Sequence, residues 1–369
     1  MNTDVLIIGG GPAGLHAAYV VASKGAKTIL VDESFCLGGQ LNQQTQHLKD
    51  LPKAFDKRTG IALARTLTDR LSGLDITVLL QHTMIGMYQD GRVGVSNGEE
   101  IIPISAEKII VTTGAAEEAS IFPGWTLPGV MTIGAAQILM NREQVLPGRR
   151  ALVIGSNDFT LEICKQFIDN GMTVEAVVEG KDELEAENER TIHFLKEANV
   201  PIFLKSSVNV TGSGEAEKAF INHKGKTHEK NVDVVCIGKG FSPILEAFEI
   251  LNCDFTYEKR LGGWVPQYAA TMKTSTPSVY VAGNAAGISN IGGTLLTAEI
   301  AAESVAEDLE YTRSEDAHKE RERLWKEIFE LESAEIFAGR IHVMRTCQHT
   351  DDELFTRLLQ LSVGRVEHG

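Results

Sequence analysis

The sequence predicts an α/β chain of two nucleotide-binding-type domains, the second inserted into the first, with a helical tail at the C-terminus. Three observations carry that prediction. An apolar run at 4–8 leads directly into Gly9-x-Gly11-x-x-Gly14 and a stretch of small and apolar residues. The same order of strand, turn, helix and strand returns from Arg150. The length, 369 residues with 43% apolar content, exceeds one typical core and suffices for two.

In chain order, residues 4–8 read as a short buried strand, 13–23 as a helix and 28–31 as a second buried strand that ends at Asp32. Strand, glycine loop, helix, strand and acid together make the full unit of a Rossmann-like dinucleotide-binding domain. Gly9 makes the tight turn, Gly11 lets a pyrophosphate approach the backbone, and Gly14 lets helix and strand pack closely. The helix N-terminus, with Pro12 and Ala13 among the predicted contacts, turns free N–H groups and a partial positive charge toward the diphosphate. Asp32 follows Gly14 by 18 positions, near the ~20 expected of the acid that accepts ribose hydroxyls; Glu33 is the neighbouring alternative.

Residues 83–87, 93–96 and 101–104 read as a small antiparallel meander. The second unit then runs through a strand at 151–154, Gly155, a helix at 158–170, a strand at 173–178 and Glu179. Its turn keeps only the first glycine, because Asn157 and Thr160 stand where the other two belong. A side chain at Asn157 fills the point of phosphate approach, and Asp158 adds a like charge beside it. This domain is therefore expected to keep the fold while nicotinamide binding is lost or altered, and tight NAD(P) binding is not expected. No arginine cluster follows Val178 to favour a 2'-phosphate.

Several segments identify the nucleotide through resemblance. Gly38-Gly39-Gln40-Leu41 resembles the segment that lies along the flavin in thioredoxin-reductase-like flavoproteins, members of the pyridine nucleotide-disulfide oxidoreductases. Ser278-Val-Tyr-Val-Ala-Gly283-Asn284, followed by a helix near Gly292-Gly293-Thr294, resembles the second FAD motif of that superfamily, with Asn284 where the motif has Asp. An amide there still bonds a ribityl hydroxyl, more weakly than a carboxylate. The helix beginning near Gly293 would direct its N–H groups toward the flavin pyrimidine edge. Thr113-Gly114, after the apolar run 109–111, resembles the turn where the flavin domain hands over to the second domain.

The stretch Gly114-Ala115, then Phe122-Pro-Gly-Trp-Thr-Leu-Pro-Gly129-Val130, then Gly134-Ala-Ala-Gln137, is the most distinctive. It resembles the linker of the alpha subunits of heteromeric amino-acid dehydrogenases and oxidases: sarcosine oxidase, opine oxidase, D-hydroxyproline dehydrogenase, dye-linked proline dehydrogenase and the hydrogen cyanide synthase subunit. The resemblance covers about residues 1–310 and implies FAD as cofactor. It also implies a role in electron transfer or NADH oxidation beside a second flavoprotein subunit that oxidises a small amine or amino acid. The implied division is an FAD domain at 1–118 and 270–312, a second domain with its linker at 119–269, and a tail at 313–369. Relatives often continue into a domain that holds a [2Fe-2S] cluster through four cysteines; here Cys347 is the only cysteine of the tail, so no cluster is expected from this chain alone. The tail, with Leu324, Ile328 and Leu331 in one stripe, is either a remnant packed on its own body or a surface for another subunit.

Composition bounds the alternatives. A net charge of -15 without a Lys/Arg stripe argues against nucleic acid. The acidic stretches 181–197 and 299–335 read as solvated helix faces. Five scattered cysteines suit a reducing compartment, and neither a signal peptide nor a bilayer-spanning run is visible, so a cytoplasmic protein is expected. No metal-ligand spacing is present: His342, His349 and His368 read as surface histidines, and Cys36 lacks the second cysteine a dithiol reductase needs. Trp125 and Trp264 read as packing anchors, and no acid-base side chain is named as catalytic. Two other readings compete with the electron-transfer role: a stand-alone NAD(P)H-dependent flavin reductase, and a non-catalytic nucleotide-binding scaffold.

Overall fold

Val5-Leu-Ile-Ile8 and Ala151-Leu-Val-Ile154 are apolar at every position, which suits strands covered on both faces. In the computed structural model, which describes residues 1–55, 57–348 and 352–366, each run is the central strand of a parallel sheet in its own unit. The first unit is Met1–Ala116 with Ser242–Gly369; the second is Glu117–Phe241.

In the first unit Asn2–Ile8 is flanked on one side by Thr28–Asp32 and then Ile76–Leu80. On the other side lie Ile101–Val111 and then Val279–Val281, all parallel. The early part of Ile101–Val111 also pairs antiparallel with Val93–Ser96, and that strand with Thr83–Met87, which forms the expected meander. Helix Pro12–Ser23 buries Leu15, Ala17, Ala18 and Val21 and packs on helix Ile291–Asp308, whose alanines permit close approach. Asp308, at the end of that helix, gathers Lys108 Nζ and Lys273 Nζ, each at 2.7 Å, and the Tyr280 hydroxyl at 2.5 Å.

The second unit repeats the plan with Ile202–Phe203, Thr173–Val178, Arg150–Ile154, Val234–Ile237 and Val130–Thr132 side by side and parallel. Leu161, Phe167 and Leu195 cover one face of it. Val208, Val210 and Ile221, from an antiparallel sheet of Ser207–Thr211, Lys218–His223 and Lys226–Asn231, cover the other.

Two boundaries differ from the sequence reading. The chain re-enters the first unit at Ser242, not near 270, because Phe248, Leu251, Leu261, Val265 and Tyr268 are buried in the first unit's core. The tail is part of that same core. Helices Ser314–Leu331 and Ala334–Thr346 sink Leu324, Trp325, Ile328, Phe337 and Ile341 into it, each side chain contributing about 1.5–3 kcal/mol. The Trp325 indole N–H donates to Ala270 O at 2.8 Å. Of the two readings of the tail, packing on its own body describes these helices. His342 is exposed; His349 and His368 lie outside the described residues. Among the described residues, no helix is long and apolar enough to cross a membrane.

Candidate cofactor site

The first glycine loop joins the C-terminal end of strand Asn2–Ile8 to helix Pro12–Ser23, beside the point where strand order reverses. Gly9, at φ +109°, turns the chain so tightly that a Cβ there would sit 2.4 Å from Thr112 O. A Cβ on Gly14 would meet Gly9 O at 1.8 Å, so helix and strand approach as the motif requires. At Gly11, by contrast, nothing lies within 4 Å of the Cβ position. Among the described residues no side chain caps this helix end, and its first turn holds no acid. The loop thus offers open backbone and the positive end of a helix, the chemistry of a diphosphate cradle.

Asp32 is half-buried, and its carboxylate closes the loop from beneath. Oδ2 accepts from Gly10 N–H at 2.5 Å and Oδ1 from Ser34 N–H at 2.7 Å. Each oxygen keeps a further lone pair for a hydroxyl. Glu33 is exposed, so Asp32 is the acid the fold turns to the loop.

Of the other predicted contacts, Gly39 and Gly283 lie against this loop. A Cβ on Gly39 would lie 2.9 Å from Gly11 Cα, and one on Gly283 would lie 2.7 Å from Ala13 Cβ and 3.5 Å from Thr294. Leu41 is buried, while Gln40 is exposed and accepts from the Gln43 amide. Asn284 Oδ1 accepts from Ser289 N–H at 3.1 Å and from the Thr294 hydroxyl at 3.5 Å. Thr113 turns away from the loop and donates to Ile244 O at 3.1 Å, and Gly114 O accepts from Ile244 N–H. Its neighbour Thr112 is the residue that holds the turn, through Oγ1 to Ile8 O and Gly9 O at 3.0 and 2.8 Å.

Helix Ile291–Asp308 starts at Asn290, whose Oδ1 caps Gly293 N–H at 2.8 Å. The turn between the first two tail helices lies against this start, and no local sequence signal marks it. Asn290 Nδ2 donates to Leu331 O at 2.8 Å, and the Ser289 hydroxyl bonds Glu332 Oε1. Glu332 and Arg340 form a fully buried bidentate pair, with Nη2 to Oε1 at 2.7 Å and Nε to Oε2 at 2.9 Å. Burial opposes the Arg340 cation, but the adjoining Glu332 carboxylate and Tyr268 outweigh it and raise its pKa.

The glycine loop of the second unit is satisfied by its own chain. Asn157 Oδ1 caps helix Asp158–Asp169 by accepting from Thr160 N–H at 2.9 Å, and the Thr160 hydroxyl bonds Gly238 O at 3.0 Å. Asp158 Oδ1 accepts from Glu187 and Asn188 N–H, which folds the following loop over the helix end. Buried Glu179 accepts from the Ser156 hydroxyl at 2.8 Å, and Lys239 Nζ lies 3.6 Å away. Burial works to raise the Glu179 carboxyl; the Lys181 amide, Ser156 hydroxyl and Lys239 together bring it below the usual range.

The remaining conspicuous residues are quiet. Among the described residues no disulfide joins the cysteines, and burial pushes the Cys164 thiol up to about 12. Cys36 accepts from the Asn42 amide at 3.6 Å. Both Trp125 and Trp264 are exposed, so neither is a buried anchor; Trp264 sits edge to face with Tyr257. Among the described residues no group of His, Cys, Asp and Glu could hold a metal.

The family profile described as pyridine nucleotide-disulphide oxidoreductase matches residues 3–306. An opine oxidase subunit of Rhizobium meliloti is 26% identical over 330 residues, which cover 83% of this chain and 71% of that protein. The alpha subunit of sarcosine oxidase from the same organism is 28% identical over 328 residues, covering 84% of this chain and 31% of its own length. Among solved structures, L-proline dehydrogenase from P. horikoshii superposes with a TM-score of 0.67 at 22% identity, over 88% of this chain and 59% of that one. The chain thus spans less than two thirds of the latter two proteins.

Proposed function

Because the chain belongs to the pyridine nucleotide-disulphide oxidoreductase family and is an FAD-dependent oxidoreductase, we propose that it is the electron-transfer subunit of a heteromeric amine or amino-acid dehydrogenase. The observation that carries this reading is the contrast between its two glycine loops. The first is open at Gly11 and uncapped, so its residues fit the diphosphate of FAD; the second is filled by Asn157, Asp158 and the loop they hold. A chain built this way keeps flavin and gives up nicotinamide. Relatives named as subunits support a partner flavoprotein that oxidises the substrate and passes its electrons on.

Bound FAD supplies the redox chemistry, and the chain's own residues supply placement. Gly9, Gly11, Pro12, Ala13 and Gly14 would hold the diphosphate at the helix N-terminus, and Asp32 the adenosine ribose. Gly39, Gln40, Leu41, Gly283, Asn284, Gly293 and Thr294 would line the ribityl and flavin end, near the Thr113-Gly114 crossing. The helix start at Gly293 would stabilise negative charge on the reduced ring.

The test is the absorbance spectrum of the purified chain before and after anaerobic NADH, with the released cofactor identified by mass. The expected result is bound FAD that NADH leaves oxidised and that an amine-oxidising partner reduces. Flavin bleached rapidly by NADH would mark a self-sufficient NAD(P)H-dependent flavin reductase instead. Flavin whose reduction never couples to turnover with the partner present would mark a scaffold, and a chain that holds no flavin would overturn the reading.

A further inference from the structure

The Glu332–Arg340 pair is out of place for a peripheral tail. A carboxylate and a guanidinium with no exposed side-chain surface are costly to bury unless every lone pair and donor is used. Here Glu332 accepts from Arg340 Nε and Nη2 and from Ser289, and Arg340 Nη1 reaches the Tyr268 hydroxyl at 3.4 Å, which donates to Ala286 O at 3.1 Å. Two of these partners lie outside the tail: Ser289, in the loop that precedes helix Ile291–Asp308, and Tyr268, which holds that loop's first turn.

The pair also faces the helix start directly. A Cβ on Gly293 would lie 2.1 Å from Glu332 Oε1, and Glu332 and Ser289 supply the three heavy atoms nearest to it. The carboxylate, rather than the guanidinium, is therefore the charge that meets the first turn. The positive end of a helix attracts a negative group, typically by about 0.3–1 kcal/mol and by up to about 2 kcal/mol when partly buried. A carboxylate held there offsets part of the field the helix presents to anything beyond its end.

We propose that Glu332 and Arg340 are positioning residues for the flavin, a pair delivered by the tail that sets the charge at the N-terminus of helix Ile291–Asp308 and so biases how readily the cofactor is reduced. The proposal rests on the reading that this helix end faces the flavin. Glu332 restrains reduction by opposing the negative charge that reduction places on the ring, and Arg340 limits that restraint. Ser289 and Asn290 fix the distance by tying the loop to the Glu332 turn.

The test equilibrates the FAD-loaded chain anaerobically with a dye of known potential and reads the ratio of reduced to oxidised flavin at a fixed dye ratio. With E332Q the ratio rises by at least about tenfold, since an uncompensated Arg340 cation then faces the helix start. With R340Q it falls, and E332D stays near wild type. A structural role alone would not move the two single variants in opposite directions. Should a single variant leave a buried charge that prevents folding, the double variant E332Q/R340M, which buries none, decides. It raises the ratio by less than E332Q, because the nearer charge is the carboxylate. Flavin retained with an unchanged ratio, or both single variants shifting the same way, or a double variant equal to wild type, would overturn the proposal. A wild-type chain without flavin would instead sink the functional reading beneath it.

Discussion

Gly11→Ala separates binding from folding. The new Cβ enters space with nothing within 4 Å, and the backbone, at φ −75° and ψ −173°, is extended chain that alanine adopts without strain. Lower entropy of the unfolded chain should raise the stability of the flavin-free protein by about 0.4–1 kcal/mol. The same methyl stands where the diphosphate must approach. Each charge-assisted bond it prevents costs roughly 1.5–3 kcal/mol, or about 10- to 150-fold in the Kd for FAD. Gly14→Ala is the control. Its Cβ would sit 1.8 Å from Gly9 O and 2.7 Å from Thr112 Oγ1, so helix and loop must separate, which costs about 1–3 kcal/mol or more. Flavin-free protein is melted thermally, and FAD is titrated by the quenching of its fluorescence. Gly11→Ala should hold or raise Tm while losing affinity, and Gly14→Ala should lose both. A Gly11→Ala chain that binds FAD as tightly as wild type, or that melts as low as Gly14→Ala, refutes the assignment of this loop to the diphosphate.

Three further outcomes follow from the packing. Burial works to raise the Asp308 carboxyl, but Lys108, Lys273 and Tyr280 bring it down to about 2. Its stabilisation is therefore complete above the ordinary carboxylate value of about 3.9 and is lost as pH falls from about 4 toward 2. The wild type should lose Tm through that window and Asp308→Asn should lose less, as acid melting curves will record; parallel curves would count against the network. Trp325→Phe removes the bond to Ala270 O and strands a buried carbonyl, for a loss of about 1–3 kcal/mol in urea unfolding. Asn157→Ala uncaps helix Asp158–Asp169 and should cost about 0.5–2 kcal/mol by denaturant titration.

The parts of the molecule that are legible in the sequence are those set by backbone constraint within a few residues. Gly9 and Gly14 each answer a contact of the loop with itself or with Thr112, and Gly11 leaves the backbone open between them, so their spacing alone announces the turn. The loss of that pattern at Asn157 and Thr160 is equally local, and both side chains do fill the second loop. Thr112 and Thr113 are harder to tell apart, because adjacent residues of one type look alike until a strand fixes which points inward. The return at Ser242 escapes a reading for strands alone, although Val234–Ile237, Gly238 and Gly240 repeat the apolar run and glycine turn that precede the first crossing. The Glu332–Arg340 pair leaves no trace of its role, because its partners Ser289 and Tyr268 are far away along the chain and charged residues eight positions apart in a helical tail read as solvent-facing.

The insertion has a consequence for how the molecule is made. Strand Val279–Val281 completes the first sheet beside Ile101–Val111, and helix Ile291–Asp308 covers helix Pro12–Ser23. Both arrive only after all of Glu117–Phe241 has been synthesised. On the ribosome, the second unit is one contiguous stretch that can close as soon as it emerges. The opening strands must wait with an unpaired edge at Ile109, Ile110 and Val111 and with one helix uncovered. The part of the protein made first is thus finished last, and through that interval its apolar edge stays exposed to pairing with other chains.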